Sequence, residues 1–424
     1  MKLLQVIGSM NPSTGGPCQV IRNSAPELEK QGVHTVVVCM DDPAAEFLGK
    51  DAFAIKALGP GKTAWCYSPK LLPWLLENIT SFDAVLLHGL WLYPGYALQK
   101  AIEQLKGTKA TFGKEKAALP KLFVMSHGML DPYFQRASGR KFKALRNWIY
   151  WKLIEGKVIN EAEGVLFTCK EEKRLARQPF RPYRPKKEIN IGFGIAAPPP
   201  FSLKMRNALQ EKCPELKNCP YILFLSRIHE KKGVDLLIKA YATLVKTKRA
   251  ASVMPGLPCE MDKPSSGKPA ELPKLVIAGP GIETTYGQRM YELVLENPDL
   301  RNSVLFPGML NGDAKWATFY CSEVFILSSH QENFGIAVVE ALACGKPVLI
   351  SSQVNIWQEI KAAGAGLVAE DTPRGVETLL QCWSKLSIAE KLRMGRNGRE
   401  LYKVRFANRP AARKLLQALT YTQE

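Results

Sequence analysis

At 424 residues the chain is too long for one ordinary hydrophobic core, and two domains of about 200 residues each are the natural division. Lys and Arg outnumber Asp and Glu by 58 − 39 = 19, a surplus that points to an anionic partner: nucleic acid, anionic lipid or a phosphorylated substrate. The ten cysteines are scattered without a Cys-x2-Cys pair and no apolar run approaches a membrane span, which argues against a zinc module, a disulfide framework and a transmembrane protein.

The chain opens on an apolar run, Leu3 to Ile7, that enters a glycine turn directly and so reads as a first strand, not a signal peptide. The turn, Gly8-Ser9-Met10-Asn11-Pro12-Ser13-Thr14-Gly15-Gly16, precedes a helix predicted over Cys18 to Gln31. Gly15 and Gly16 let the backbone approach a phosphate or sugar, with a plain turn as the equal alternative. The loop has neither the Gly-x-Gly-x-x-Gly spacing of dinucleotide enzymes nor the Gly-Lys-Ser/Thr ending of a P-loop, which argues against NAD and ATP. Short apolar runs then alternate with amphipathic segments: Thr35 to Cys39, Ala84 to Leu87, Leu122 to Met125 and Val165 to Phe167. That alternation predicts a parallel sheet covered by helices.

His88, followed by Gly89-Leu90-Trp91, and His127, within Ser126-His127-Gly128-Met129-Leu130-Asp131-Pro132, each stand where a strand ends. From Arg136 to Lys187, Lys141, Lys143, Arg146, Lys152 and Lys157 interleave with Phe142, Trp148, Tyr150 and Trp151. Such a helix suits an anionic lipid surface; the alternative is a helix that packs its aromatics inward and leaves its charges solvated. A border is expected in the proline-rich passage from Pro179 to Pro220, where helix is excluded around Pro198, Pro199 and Pro200. A second strand series follows at Tyr221 to Leu225, Leu275 to Ala278, Val304 to Phe306, Val324 to Leu327 and Val348 to Ile350, broken by a surface insertion from Met254 to Pro273. The last segment, Arg399 to Thr422, reads as helical and basic.

The most informative run is His330 to Pro347. A buried strand ends near Ser328, and Ile336, Val339, Leu342 and Ala343 then follow helical spacing until Gly345. Glu332 falls in the loop at the strand's carboxyl end, and Glu340 one to two turns into the helix, on the side away from the apolar stripe. The amides of Phe334, Gly335 and Ile336 are left open at the helix start, where they suit an anion such as diphosphate.

This run, with its Glu-x-Phe-Gly opening and Glu-Ala-Leu-Ala-Cys-Gly-Lys-Pro-Val continuation, resembles the Glu-x7-Glu signature of the family 4 (group 1) retaining glycosyltransferases, nearest a bacterial surface-polysaccharide branch. The resemblance implies an α/β chain of GT-B architecture: two Rossmann-like, doubly wound parallel-sheet domains facing across a cleft. Expected boundaries are 1–200 for an acceptor-side domain, 201–400 for a nucleotide-sugar donor domain, and 401–424 for a C-terminal helix crossing back to the first. By resemblance, Arg227 and Lys232 in Phe224-Leu225-Ser226-Arg227-Ile228-His229-Glu230-Lys231-Lys232-Gly233 fall on the diphosphate-binding pair, and fixed cations there would stabilise a leaving diphosphate. Glu332 would support the sugar and His127 would stand near it, which makes Glu332, His127, Arg227 and Lys232 the catalytic candidates, while Glu340 would bind the ribose hydroxyls of the donor. Gly15, Gly16, Gly279, Gly308, Met309, Phe334, Gly335 and Ile336 complete the donor set, with His88 and Trp91 on the acceptor side. The usual Pro-Asn-Gly turn is replaced by Gly192-Phe193-Gly194, which therefore receives no ligand role.

The expected activity is a retaining, metal-independent transfer from a nucleoside-diphosphate sugar to a glycan or lipid-linked glycan. No Asp-x-Asp occurs, no cofactor beyond the donor substrate is expected, and the location expected is cytoplasmic, at the inner face of the cell membrane if the basic helix binds lipid. Two rivals stand beside it: a sugar-nucleotide hydrolase or epimerase of the same fold, and a basic nucleic-acid-binding protein, which the absence of a helix-turn-helix or aromatic single-strand motif disfavours. UDP and GDP are not distinguished, because the base is read largely by backbone and loop shape.

Overall fold

A computed structural model of the chain describes residues 1–112, 118–137, 139–253 and 272–420. It divides into two compact units, Met1–Ala196 with the chain from Arg405 onward, and Ala197–Val404. Each is a parallel sheet covered by helices.

The first unit holds β1 (Lys2–Ile7), β2 (His34–Cys39), β3 (Ala54–Ala57), β4 (Ala84–His88), β5 (Lys121–Met125), β6 (Gly164–Phe167) and β7 (Glu188–Asn190), in the spatial order β3-β2-β1-β4-β5-β6-β7. All pairs are parallel. A parallel sheet is covered on both faces, so its central strands carry near-continuous apolar runs. Val85, Leu87, Val124 and Val165 pack under helical Leu98 and Trp151, while Ile7, Val37 and Cys39 pack against Ile21 on the opposite side. Gln5 and His88 are the polar exceptions on β1 and β4, and both are buried.

The second unit holds β8 (Tyr221–Leu225), β9 (Lys274–Ala278), β10 (Val304–Gly308), β11 (Val324–Leu327), β12 (Val348–Ser351) and β13 (Gly366–Ala369), in the order β10-β9-β8-β11-β12-β13. In both sheets the chain winds outward to one side, then returns to the far side of its starting strand. The reversals lie between β1 and β4 and between β8 and β11, and at such points the following loops diverge and leave a crevice.

Helix Gly16–Glu29 carries Pro17 in its first turn, where a missing N–H is harmless, and starts two residues before the expected Cys18. Helix is absent around Pro198, Pro199 and Pro200, as expected, but it resumes within the same proline-rich passage. Ser202 accepts a hydrogen bond from the Met205 amide and starts helix Leu203–Lys212 immediately after them. Of the insertion from Met254 to Pro273, residues 254–271 lie outside the described residues. No helix among the described residues is long and apolar enough to cross a membrane.

Helix Asn408–Thr420 packs on helix Gly16–Glu29 within the first unit. Ile195 N donates to Phe406 O at 2.7 Å, and buried Asn23 Nδ2 donates to Gly194 O at 2.7 Å. A Cβ on Gly194 would stand 2.8 Å from Asn408 Cα, a backbone atom that cannot swing aside. Gly194→Ala is therefore expected to destabilise the first unit by about 2 kcal/mol and to speed amide hydrogen exchange in Asn408–Thr420, with β5 left protected.

Candidate functional site

In the second unit the loop after β8 is a short turn, Glu230–Lys232, started by His229, whose Nδ1 accepts from Lys231 N at 3.0 Å. Gly233 ends it at φ 62°, and a Cβ there would collide with the Ser328 carbonyl oxygen. Only glycine therefore lets the loops after β8 and β11 touch. Ser328 Oγ donates to Gly233 O at 2.8 Å, and His330 N donates to Lys231 O at 2.9 Å, which zips the two loops together.

This zipping brings buried Lys232 onto Glu332, and the two form an ion pair. Burial pushes the Glu332 carboxyl up, but Lys232, Lys231 and the Phe334 amide outweigh it and hold the group below its ordinary value. The Glu332 backbone is pinned as well: its N–H donates to Gln353 O, and its carbonyl accepts from Asn355 N, both at 2.9 Å. Gly335, at φ 80°, then starts helix Ile336–Ala343 with no side-chain cap. Its first-turn amides, at the mouth of the β8/β11 reversal, have no carbonyl one turn earlier to bond.

Glu340 departs from the expected placement away from an apolar stripe. The helix is covered nearly all round, Glu340 is 8% exposed, and its Oε1 accepts from Lys315 Nζ at 2.6 Å. Burial raises the Glu340 carboxyl despite Lys315. Arg227 is exposed and has no ion pair among the described residues. Gly279 N donates to Gly308 O at 2.8 Å, and a Cβ on Gly279 would collide with Ser226 O, so the ends of β8, β9 and β10 are held close. Met309 projects beside them, 65% exposed. Lys232, Glu332, Phe334, Gly335 and Ile336 thus share one strand-order reversal, Glu340 lies deeper along the same helix, and Gly279, Gly308 and Met309 border the neighbouring strand ends. His330 turns instead to Asp371, 2.9 Å from Nδ1.

In the first unit His88 ends β4 beside Gln5 on β1, at the other reversal. His88 Nε2 lies 2.8 Å from Gln5 Oε1, and His88 Nδ1 lies 2.9 Å from His127 Nε2. With the Gln5 oxygen accepting from Nε2–H, neutral His88 accepts at Nδ1 from His127 Nε2–H, which leaves His127 Nδ1 as a lone pair. Desolvation lowers both rings, His127 to about 3, with the neighbouring His127 adding to the fall at His88. His127 itself takes φ 51°, and its loop is held by Glu172, which accepts from Ser126 Oγ (2.9 Å), Gly128 N (2.6 Å), Thr168 N (2.7 Å) and Thr168 Oγ1 (2.6 Å).

Trp91 takes φ 68°, and its amide donates to Glu155 Oε2 at 2.9 Å. Glu155 is fully buried in a π-helical turn, Trp151–Glu155, and burial pushes its carboxyl up to about 8. Gly15 (φ 86°) and Gly16 start their helix with open space where a Cβ would stand, and Asp41 supports the preceding loop through Ser9 Oγ and Met10 N. Gln5, Asp41, Glu155, Glu172 and Lys315 all escaped the sequence reading. Only Gln5 left a signal, as the one amide in an apolar strand; the other four sit in ordinary polar surroundings of the sequence.

Glu155 yields a signed pH effect. Its folded value lies above the unfolded one, so the stability it contributes is complete below the unfolded value and is lost as pH rises through about 8. Histidines 88 and 127 act oppositely: their contribution is complete above the unfolded value near 6.5 and is lost as pH falls toward 3. Glu155→Gln, which still accepts from Trp91, is expected to melt higher than the parent at pH 8, by an amount worth a few kcal/mol, and to match it near pH 5. Parallel melting curves at the two pH values check this.

Residues 205–401 match the family described as glycosyl transferases group 1. Among curated relatives, "Uncharacterized glycosyltransferase MJ1607" of Methanocaldococcus jannaschii is 30% identical over 168 residues, which is 38% of this chain and 36% of that one. The match thus spans about a third of that relative's length. Among solved structures, sucrose-phosphate synthase from Thermosynechococcus elongatus superposes with TM-score 0.69 at 18% identity over 98% of both chains. Anabaena Alr3699/HepE, solved in complex with UDP, superposes with TM-score 0.67 at 17% identity over 99% of this chain and 100% of that one. The two parallel-sheet α/β units have the GT-B fold of these neighbours, and the match to the glycosyl transferases group 1 family lies within the second unit.

Proposed function

We propose that the protein is a family 4 glycosyltransferase that moves a sugar from a nucleoside-diphosphate donor to a glycan or lipid-linked glycan acceptor, with retention and without a metal. The observation that carries this reading is the Lys232–Glu332 pair set beside the open first-turn amides of helix Ile336–Ala343 at the β8/β11 reversal. An anionic diphosphate fits those amides, with Lys232 and Arg227 supplying cations as the leaving group gains charge. Anabaena Alr3699/HepE has been solved in complex with UDP and with UDP-glucose, which favours a uridine donor.

In this reading the bond between the anomeric carbon and the β-phosphate oxygen breaks through an oxocarbenium-like state. The acceptor oxygen bonds to the same face of that carbon, and its proton passes to the departing phosphate oxygen. Glu332, kept ionised by Lys232, stabilises the developing positive charge. Glu340 binds the ribose diol through carboxylate lone pairs. Neutral His127 accepts a hydrogen bond from a sugar hydroxyl at its free Nδ1, and Gly15 and Gly16 leave the backbone accessible beside it. No Asp-x-Asp is present to chelate a divalent ion, and Arg227, Lys232 and the helix amides would take over its charge.

Arg227→Ala is expected to lower kcat about 100-fold, and Glu340→Gln to raise donor KM roughly tenfold with kcat little changed. The anomeric configuration of the first-formed product, read by NMR in the presence of EDTA, tests the rest. A retained product at undiminished rate is expected; an inverted product or loss of turnover on chelation contradicts the mechanism.

The same reading places the protein at the cytoplasmic membrane face, where a lipid-linked acceptor would lie. Helix Lys141–Tyr150 and the turn after it split their aromatics. Trp151 is fully buried, but Phe142 is 92% exposed, Trp148 51% and Leu153 74%, among Lys141, Lys143, Arg146 and Lys152. Cosedimentation with phosphatidylglycerol vesicles is expected to fall with added salt and to be lost in a Phe142→Ser, Leu153→Ser double variant. Binding that ignores lipid charge would contradict the membrane placement.

A further inference from the structure

Away from the histidine pair, the first unit contains a cavity of about 420 Å3 lined by Thr63, Trp65, Trp91, Arg146, Asn147 and Tyr150. Its volume lies within the range of small-molecule sites. Three features separate it from a packing defect.

The first is strain. Of the five non-glycine residues with positive φ among the described residues, Thr63 (62°) and Trp91 (68°) line this cavity, and Cys66 (57°) follows the lining Trp65 in sequence. Each such residue costs roughly 1–3 kcal/mol and persists only when its surroundings enforce it. Here the enforcement is visible, since Trp91 N is held by buried Glu155 and Tyr93 N by Trp65 O at 2.8 Å.

The second is a fixed aromatic wall. Trp65 Nε1 donates to Tyr150 OH at 2.8 Å, and Tyr150 OH donates to Leu92 O at 3.2 Å. The Trp91 and Tyr150 rings meet edge to face, 6.2 Å apart at 75°. The indole and phenol polar atoms are spent on one another, so the wall offers a ligand flat apolar faces.

The third is an unspent donor. Asn147 is 4% exposed, its Oδ1 accepts from Arg146 Nη2 at 3.0 Å, and its Nδ2 has no partner among the described residues. The exposed Arg146 guanidinium stands beside it with further donors.

The geometry points to a pyranose ring as the occupant: a sugar of the acceptor glycan that lays its C–H face on the tryptophans and offers hydroxyl or ring oxygens to Asn147 Nδ2 and Arg146. A lipid chain would satisfy the wall but strand the amide and the guanidinium. The assignment rests on the transferase reading for its role in acceptor recognition, while occupancy is tested apart from it.

The test uses the full chain labelled with 15N at tryptophan indoles, the Trp65 and Trp91 signals being assigned through Trp65→Phe and Trp91→Phe. Methyl glycosides of glucose, mannose and galactose, and glucuronic acid, are titrated singly, with UDP and short-chain phosphatidylglycerol as comparison ligands. Saturable movement of the Trp65 and Trp91 signals with at least one sugar, while Trp316 and Trp383 stay still, is expected. Asn147→Asp keeps the Arg146 contact but turns the donor into an acceptor, and should weaken that binding about tenfold. Arg146→Ala, an exposed position that leaves folding intact, should weaken it several-fold. No movement with any sugar, or movement with UDP or lipid alone, overturns the assignment. A chain that melts higher with a nucleoside diphosphate yet shows no sugar response loses this cavity and keeps the transferase reading; a sugar response without any nucleotide effect does the reverse.

Discussion

Lys232 and Glu332 stand one hundred residues apart in the chain, and they meet because the second sheet reverses its strand order between β8 and β11. A right-handed parallel sheet makes the loops after its two central strands diverge. Here Gly233 closes part of that gap, allowing the two loops to touch where any other residue would meet the Ser328 carbonyl. The ion pair follows from that contact. It holds the Glu332 carboxyl below its ordinary value where burial alone would raise it, and removing either partner would strand the other charge at a cost of about 3–5 kcal/mol.

The first unit applies the same topology with different chemistry. Its reversal between β1 and β4 sets Gln5 beside His88, and His88 in turn orients His127. No carboxylate touches either imidazole among the described residues, so desolvation dominates and both rings stay neutral through the physiological range. A neutral ring donates or accepts one hydrogen bond without adding charge, which suits a group placed near a sugar better than one meant to hold phosphate. Glu172 supports the loop from behind by taking four hydrogen bonds from three residues.

Ten strands were legible because buried parallel strands leave short unbroken apolar runs, as at Val324–Leu327 and Ala84–Leu87, whereas β3, β7 and β13, each at a sheet edge, were not read. The helix after β11 was legible for the same reason, its glycines marking both ends. Partners of charged groups were not legible. Lys315 neutralises Glu340 from a neighbouring helix, and Glu172 reaches the His127 loop from helix Lys170–Ala176, and neither spacing has a local pattern. Glu340 was misplaced because the apolar stripe of helix Ile336–Ala343 is wider than one face, so a carboxylate assigned to the far side is still inside. Helix Leu203–Lys212 was missed because proline excludes helix only at and just before itself, and Ser202 restarts it at once.

We expect the β8/β11 reversal to bind a nucleoside diphosphate through Lys232, Arg227 and the helix amides. Melting of the purified protein across UDP, GDP, ADP and CMP, each with and without EDTA, tests it most directly, because a ligand that binds only the folded state raises the transition by mass action. A selective rise with UDP or GDP that survives EDTA and disappears in Lys232→Ala is the predicted result. No rise with any nucleotide, or one that the substitution leaves intact, would contradict it.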